Sequence, residues 1–97
     1  MTPKVLVSDK LSETAVQIFI DRGIDVDFLP ELGKDKEALA KKIGHYDGLA
    51  IRSATKVTQT ILRNAHKLKV IGRAGIGTDN IDKEAASKKG LVVMNTH

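Results

Sequence analysis

Short apolar runs alternate with stretches of helical periodicity along the whole chain. KVLVS at 4–8 reads as a first strand, and SETAVQIFIDRG at 12–23 as a helix. In that helix Ser12 is placed to cap the start, Ala15, Val16 and Phe19 share one face, and Gly23 fits the stop. IDVDFL at 24–29 alternates, as a strand with one wetter face does. DKEALAKKIGHY at 35–46 predicts a second helix, opened by Asp35, with Leu39 and Ile43 four apart. DGLAIRS at 47–53 is a third strand, TQTILRNAH at 58–66 a short helix capped by Thr58, and LKVIG at 68–72 a fourth strand. DKEAASKKG at 82–90 is a fourth helix ending at Gly90, and LVVMNT at 91–96 a fifth strand.

Strand starts recur at roughly twenty-odd residues, the period of a βα unit, without sequence similarity between units. Strands alternating with helices imply a parallel sheet with right-handed crossovers. The third to fifth strands are continuous apolar runs, as strands covered on both faces are. The expected fold is α/β: a flavodoxin-like, doubly wound, five-stranded parallel sheet in the order 2-1-3-4-5. Its crossovers put the first helix on one face and the next three on the other. One helix then serves a face of five strands, and the final covering helix is lacking. Either a second subunit covers that face or the chain is a piece of a longer one, because large bare apolar patches are rare on monomers.

Composition narrows the class. The 97 residues make one small domain with an aliphatic core, since Phe19, Phe28 and Tyr46 are the aromatics. Absence of cysteine excludes disulfides and thiolate metal sites and suits a reducing compartment. No segment is long and apolar enough to span a membrane, and the N-terminus is not signal-like. The net charge of +4 comes from scattered lysines, with no basic run interleaved with stacking aromatics, so neither nucleic acid nor membrane is expected as a partner. His45, His66 and His97 show no metal spacing.

The glycines of KVIGRAGIGTDNID, at 69–82, sit where a nucleotide-binding turn belongs. A dinucleotide fingerprint needs a third glycine where this chain has Asn80, and an acidic residue about twenty positions on, where it reads Met94, Asn95, Thr96. A P-loop fails as well, since no Gly-Lys-Ser/Thr follows. NAD is therefore not expected to bind this chain alone. A small anion is better supported. Arg52 follows GLAI and Arg73 follows KVIG, both at the carboxyl ends of neighbouring strands, where open parallel sheets bind ligands. Each guanidinium can grip a phosphate or carboxylate in bidentate fashion, and Lys56 lies just beyond Arg52. SAT and AGIG follow the two arginines with small residues and free backbone N–H groups. The competing reading pairs the arginines with Asp79 or Asp47. Asp9, after the first strand, reads more readily as a turn or cap residue than as part of the site.

IRSATKVT, LKVIGRAGIGTDNID and AASKKGLVVMNT resemble the phosphoglycerate branch of the NAD-dependent D-2-hydroxyacid dehydrogenases. The similarity is dense from Asp47 to Thr96 and pattern-like before that. It implies that residues 1–97 are the substrate-binding domain of a cytoplasmic homo-oligomeric oxidoreductase of serine biosynthesis. On the matching positions, the N–H groups of Ile76 and Gly77 hold a substrate carboxylate. Arg52, Ser53 and Ala54 line the same pocket, and Arg52 and Arg73 face a phosphate. Asn95 and Thr96 approach the nicotinamide side. The implied ligand is a small phosphorylated hydroxyacid, with NAD bound by a separate Rossmann domain that carries the catalytic residues. That domain is absent from these 97 residues, and His97 stands where the family has proline. The resemblance thus implies no catalytic residue and no metal ligand here, an inactive isolated chain, and association through the uncovered face. A glycerate or glyoxylate enzyme of the same family, or a stand-alone binding module, are the alternatives.

Overall fold

The computed structural model describes residues 3–74 and 80–96. Five strands, β1 (Lys4–Val7), β2 (Asp25–Phe28), β3 (Gly48–Ile51), β4 (Val70–Ala74) and β5 (Val92–Thr96), form one parallel sheet in the order β2-β1-β3-β4-β5. The helices α1 (Glu13–Asp21), α2 (Lys36–Lys42), α3 (Gln59–Arg63) and α4 (Lys83–Lys88) link them in turn. The expected α/β class, topology and strand count are all observed.

Local chemistry sets the helix ends. Asp35, Thr58 and Asp82 accept the N–H groups of Ala38, Ile61 and Ala85 at 3.1, 3.4 and 3.0 Å, each satisfying one orphan donor of a first turn. Such a cap contributes about 1 kcal/mol. Glu13 follows Ser12, whose carbonyl accepts from the Val16 N–H at 3.2 Å. Gly23 and Gly90 end α1 and α4 with φ of +78° and +75°. In both places the residue after the glycine returns its N–H to a helix carbonyl, Ile24 to Phe19 and Leu91 to Ala86, as a Schellman stop requires.

Several boundaries differ from the sequence reading; β3 ends at Ile51 and α3 at Arg63, short of the expected 53 and 66. The helix expected over 35–46 ends at Lys42 and tightens into a 3-10 turn, Ile43–His45. Gly44 is a poor helix former, and a Cβ there would lie 2.9 Å from the Asn64 carbonyl oxygen. The fourth strand runs to Ala74 rather than stopping at Gly72, because β5 offers a full ladder: Arg73 pairs with Asn95 and Ala74 with Thr96. Arg73 is therefore a strand residue, not a loop residue.

One face of the sheet carries the core. Leu6, Leu49, Ile51 and Ile71 pack with Leu39 and Ile43 around α2, Ile61 and Leu62 of α3, and Ala86 of α4. None of the described α1 side chains belongs to that cluster; α1 packs against β2. Over β4 and β5 the opposite face is open. Val92 and Met94 are 57% and 50% exposed, and a side chain built on Gly72 would meet nothing within 4 Å. The uneven covering inferred from the crossovers is thus what the described residues show.

Candidate functional site

The carboxyl ends of β1 and β3 lie side by side, with Val7 opposite Ala50 and the Ser8 N–H donating to the Ala50 carbonyl at 3.2 Å. The chain leaves β1 toward β2 on one side, while β3 continues toward β4 on the other, which makes this the switch point of the sheet. A cavity of about 300 Å³ opens there, lined by Asp9, Lys10, Pro30, Lys34, Arg52, Ser53 and Ala54. That is the low end of the size range of small-molecule pockets. A larger hollow of about 430 Å³ beside Leu29, Leu32 and Lys42 is mostly apolar and holds no convergent donor set.

The loop after β3 forms the wall, and it is held at both ends by complementary groups. Asp9 is 1% exposed, and its Oδ2 accepts the N–H groups of Arg52 at 2.5 Å and Thr55 at 3.1 Å. The Asn80 Nδ2 donates to the carbonyls of the same two residues, Arg52 and Thr55, at 2.6 Å each. The Thr55 hydroxyl is buried 2.8 Å from the Ser8 hydroxyl. Gly33 must be glycine for this packing, because a Cβ would fall on the Thr55 hydroxyl and lie 2.7 Å from the Ser8 carbonyl oxygen. Between the clamped ends, Ser53 and Ala54 are exposed, and their N–H groups have no partner among the described residues. A pair of unengaged successive amides beside a cationic side chain is an anion-binding arrangement.

The charges follow the same logic. Arg52 donates from Nη1 to the Lys10 carbonyl at 3.2 Å and forms no ion pair among the described residues. Asp47, one of its proposed competitors, accepts the Lys4 backbone N–H at 2.9 Å instead; Asp79, the other, lies outside the described residues. Lys10 and Lys34 meet Glu31 at 3.8 and 3.1 Å. The Lys34 ammonium beside Glu31, and more weakly that of Lys10, holds its carboxyl below the usual range. All three side chains are well exposed, so these pairs are cheap to break.

Of the residues singled out by sequence, Arg52, Ser53 and Ala54 share the cavity wall. Arg73 is not on that wall; its Nε donates to the Asn80 Oδ1 at 2.7 Å. Asn95 and Thr96 close β5, opposite Arg73 and Ala74. Ile76 and Gly77 lie outside the described residues. Sequence reasoning took Asn80 only as the residue that breaks a glycine fingerprint, whereas it joins the loop after β3 to β4. Asp9 proves to be a cap, of the loop rather than of a helix. Among the described residues no group of His, Asp or Glu is placed to hold a metal ion, and no helix is long and apolar enough to cross a membrane.

The chain is thus a parallel α/β sheet with an anion-suited loop and a cavity at its switch point. Its sequence narrows this further. Residues 5–97 match the family of the D-isomer specific 2-hydroxyacid dehydrogenase, catalytic domain. The chain belongs to that family. It is 50% identical over 93 residues to the D-3-phosphoglycerate dehydrogenase of Methanocaldococcus jannaschii, covering 95% of this chain and 17% of that protein. The human D-3-phosphoglycerate dehydrogenase is 46% identical over 93 residues, with 96% and 17% covered. The chain thus spans about a sixth of the length of the curated relatives it matches. Among solved structures, the NAD+-bound 3-phosphoglycerate dehydrogenase of Entamoeba histolytica superposes with a TM-score of 0.85 at 36% identity, over 98% of this chain and 33% of that one. The PH0520 protein of Pyrococcus horikoshii gives a TM-score of 0.90 at 36% identity, over 99% and 28%.

Proposed function

We propose that this chain is the substrate-binding part of a D-3-phosphoglycerate dehydrogenase, which oxidises 3-phosphoglycerate to 3-phosphohydroxypyruvate with NAD in cytoplasmic serine biosynthesis. The observation that carries this reading is the loop of Arg52, Ser53 and Ala54. Its ends are fixed by Asp9 and Asn80, and its two exposed middle amides share a cavity wall with a guanidinium that has no carboxylate partner among the described residues. Arg52 and Arg73 serve the phosphate end of the substrate, and the N–H groups of Ile76 and Gly77 its carboxylate. Asn95 and Thr96 approach the nicotinamide side.

The cavity is sized for a small acid. A separate domain would hold NAD, whose nicotinamide would take up the hydride, and a base of that domain would take the hydroxyl proton. The 97 residues alone bind and orient substrate without turning it over. The open face over β4 and β5 supports a homo-oligomer or an added covering element.

The test is an NMR titration of the isotope-labelled chain with 3-phosphoglycerate, with glycerate as control. Selective shifts of the Arg52–Thr55, Ile76 and Gly77 amides with the phosphorylated acid are expected. Equal response to glycerate, or no response to either, overturns the phosphoglycerate assignment for this chain.

A further inference from the structure

Asn80 makes three side-chain hydrogen bonds to two separate segments. Its Nδ2 donates to the Arg52 and Thr55 carbonyls at 2.6 Å, and its Oδ1 accepts from the Arg73 Nε at 2.7 Å. Only one orientation of the amide satisfies all three, because two partners are acceptors and the third is a donor. The backbone reinforces the position. The Val57 N–H donates to the Asn80 carbonyl at 2.8 Å, the Asp82 N–H to the Val57 carbonyl at 2.9 Å, and Val57 bridges Ile81 in parallel.

Each arm holds a different group that the proposed function assigns to the substrate's phosphate end. The Nδ2 arm, together with Asp9 on the N–H side, fixes the loop ends and so the direction of the Ser53 and Ala54 amides. The Oδ1 arm engages Nε, which sets the plane of the Arg73 guanidinium and hence the direction of its two Nη groups. No other described side chain is bonded to both the loop and Arg73.

We infer that Asn80 is a positioning residue that locks the Arg52–Thr55 loop and the Arg73 guanidinium into one arrangement, so that the two halves of the anion site are set together. This rests on the phosphoglycerate reading above for its ligand, but the lock itself exists without ligand. Aspartate at this position separates the two arms. It keeps an acceptor for Arg73 Nε but has no N–H to donate, and its charge faces the two carbonyls. Alanine removes both arms.

The experiment uses the full chain and reads the Arg73 Nε–H resonance, the Ser53 and Ala54 amides, and the affinity for 3-phosphoglycerate. Strand amides such as Leu6 and Leu49 report the fold. In Asn80→Asp the Nε–H resonance persists while the two loop amides lose their dispersion. In Asn80→Ala both signals change. Affinity falls about tenfold or more in each variant, the scale of one or two lost hydrogen bonds. If Asn80→Ala fails to fold, Asn80→Asp alone decides. Unchanged loop amides in Asn80→Asp, or weakened binding with Arg73 and loop signals both unmoved, overturn the inference. If the wild-type chain does not bind 3-phosphoglycerate, the functional reading fails, and the Nε–H and loop-amide signals still settle the role of Asn80.

Discussion

Oδ2 of Asp9 lies 2.5 Å from the backbone nitrogen of Arg52 and also accepts the Thr55 N–H, so one buried carboxylate fixes both ends of the loop that walls the cavity. Its Oδ1 is buried without a partner among the described residues. Truncation in Asp9→Ala leaves two amides without their acceptor. At about 1–3 kcal/mol for each buried unsatisfied group, partly offset by water entering the open cavity, the expected loss is about 2–4 kcal/mol. Asp9→Asn keeps an acceptor oxygen and loses the charge, so its cost is expected to be smaller, about 1 kcal/mol. Urea denaturation of the two variants measures both. The loop amides of Ser53 and Ala54 are also expected to exchange faster with solvent in Asp9→Ala.

Tyr46 offers a clean pH probe because the chain has a single tyrosine and no tryptophan. Its hydroxyl donates to Asp27 Oδ2 at 2.5 Å, and the ring is almost fully buried. Burial first, then the Asp27 carboxylate and more weakly Asp25, push its pKa up to about 12. An unfolded tyrosine titrates near 10. The neutral phenol is thus favoured in the fold, and the stability it contributes is complete below about pH 10 and is lost as pH rises toward 12. Phenolate absorbance is expected to titrate near 12 in the folded chain and near 10 in urea. A folded-state midpoint at 10 would rule out this environment. Tyr46→Phe serves as the control, since the part of the falling stability that this phenol carries is the part that disappears in the variant.

Much of the fold was legible because it rests on local signals. Asp35 and Thr58 cap as read, Gly23 and Gly90 stop their helices, and the period of strands and helices sufficed for the topology. Two of the boundaries that moved did so for tertiary reasons: Gly44 against the Asn64 carbonyl, and β4 drawn onward by its ladder with β5. The site was half legible. Arg52, Ser53 and Ala54 follow a buried strand, at the carboxyl end where open parallel sheets bind ligands. Asp9 was legible as a turn or cap residue but not its partners 43 and 46 positions on, and Asn80 was not legible, because its work is to meet residues up to 28 positions away in sequence. A side chain that bridges distant segments leaves no periodic trace. The one local hint is the buried Ile81 beside Asn80, which marks that segment as packed rather than as free loop.

The open face of the sheet carries the last prediction. Val92 and Met94 stand 57% and 50% exposed on neighbouring turns of the pleat, beside a glycine position that opens on nothing within 4 Å. They lie on the face opposite the core cluster, and apolar surface of this kind drives association because burying it releases about 25 cal/mol per Å². The isolated chain is therefore expected to self-associate in sedimentation at high concentration and to bind an apolar dye. In Val92→Lys with Met94→Lys both signals should fall while the urea midpoint changes little, since exposed positions contribute little to the core. Lysine on an edge strand also discourages strand-to-strand pairing, so a swap through β5 would be suppressed as well. A wild-type chain that sediments as a clean monomer and leaves the dye dark would show that this face is satisfied within the chain, and the proposed homo-oligomer would have to form elsewhere.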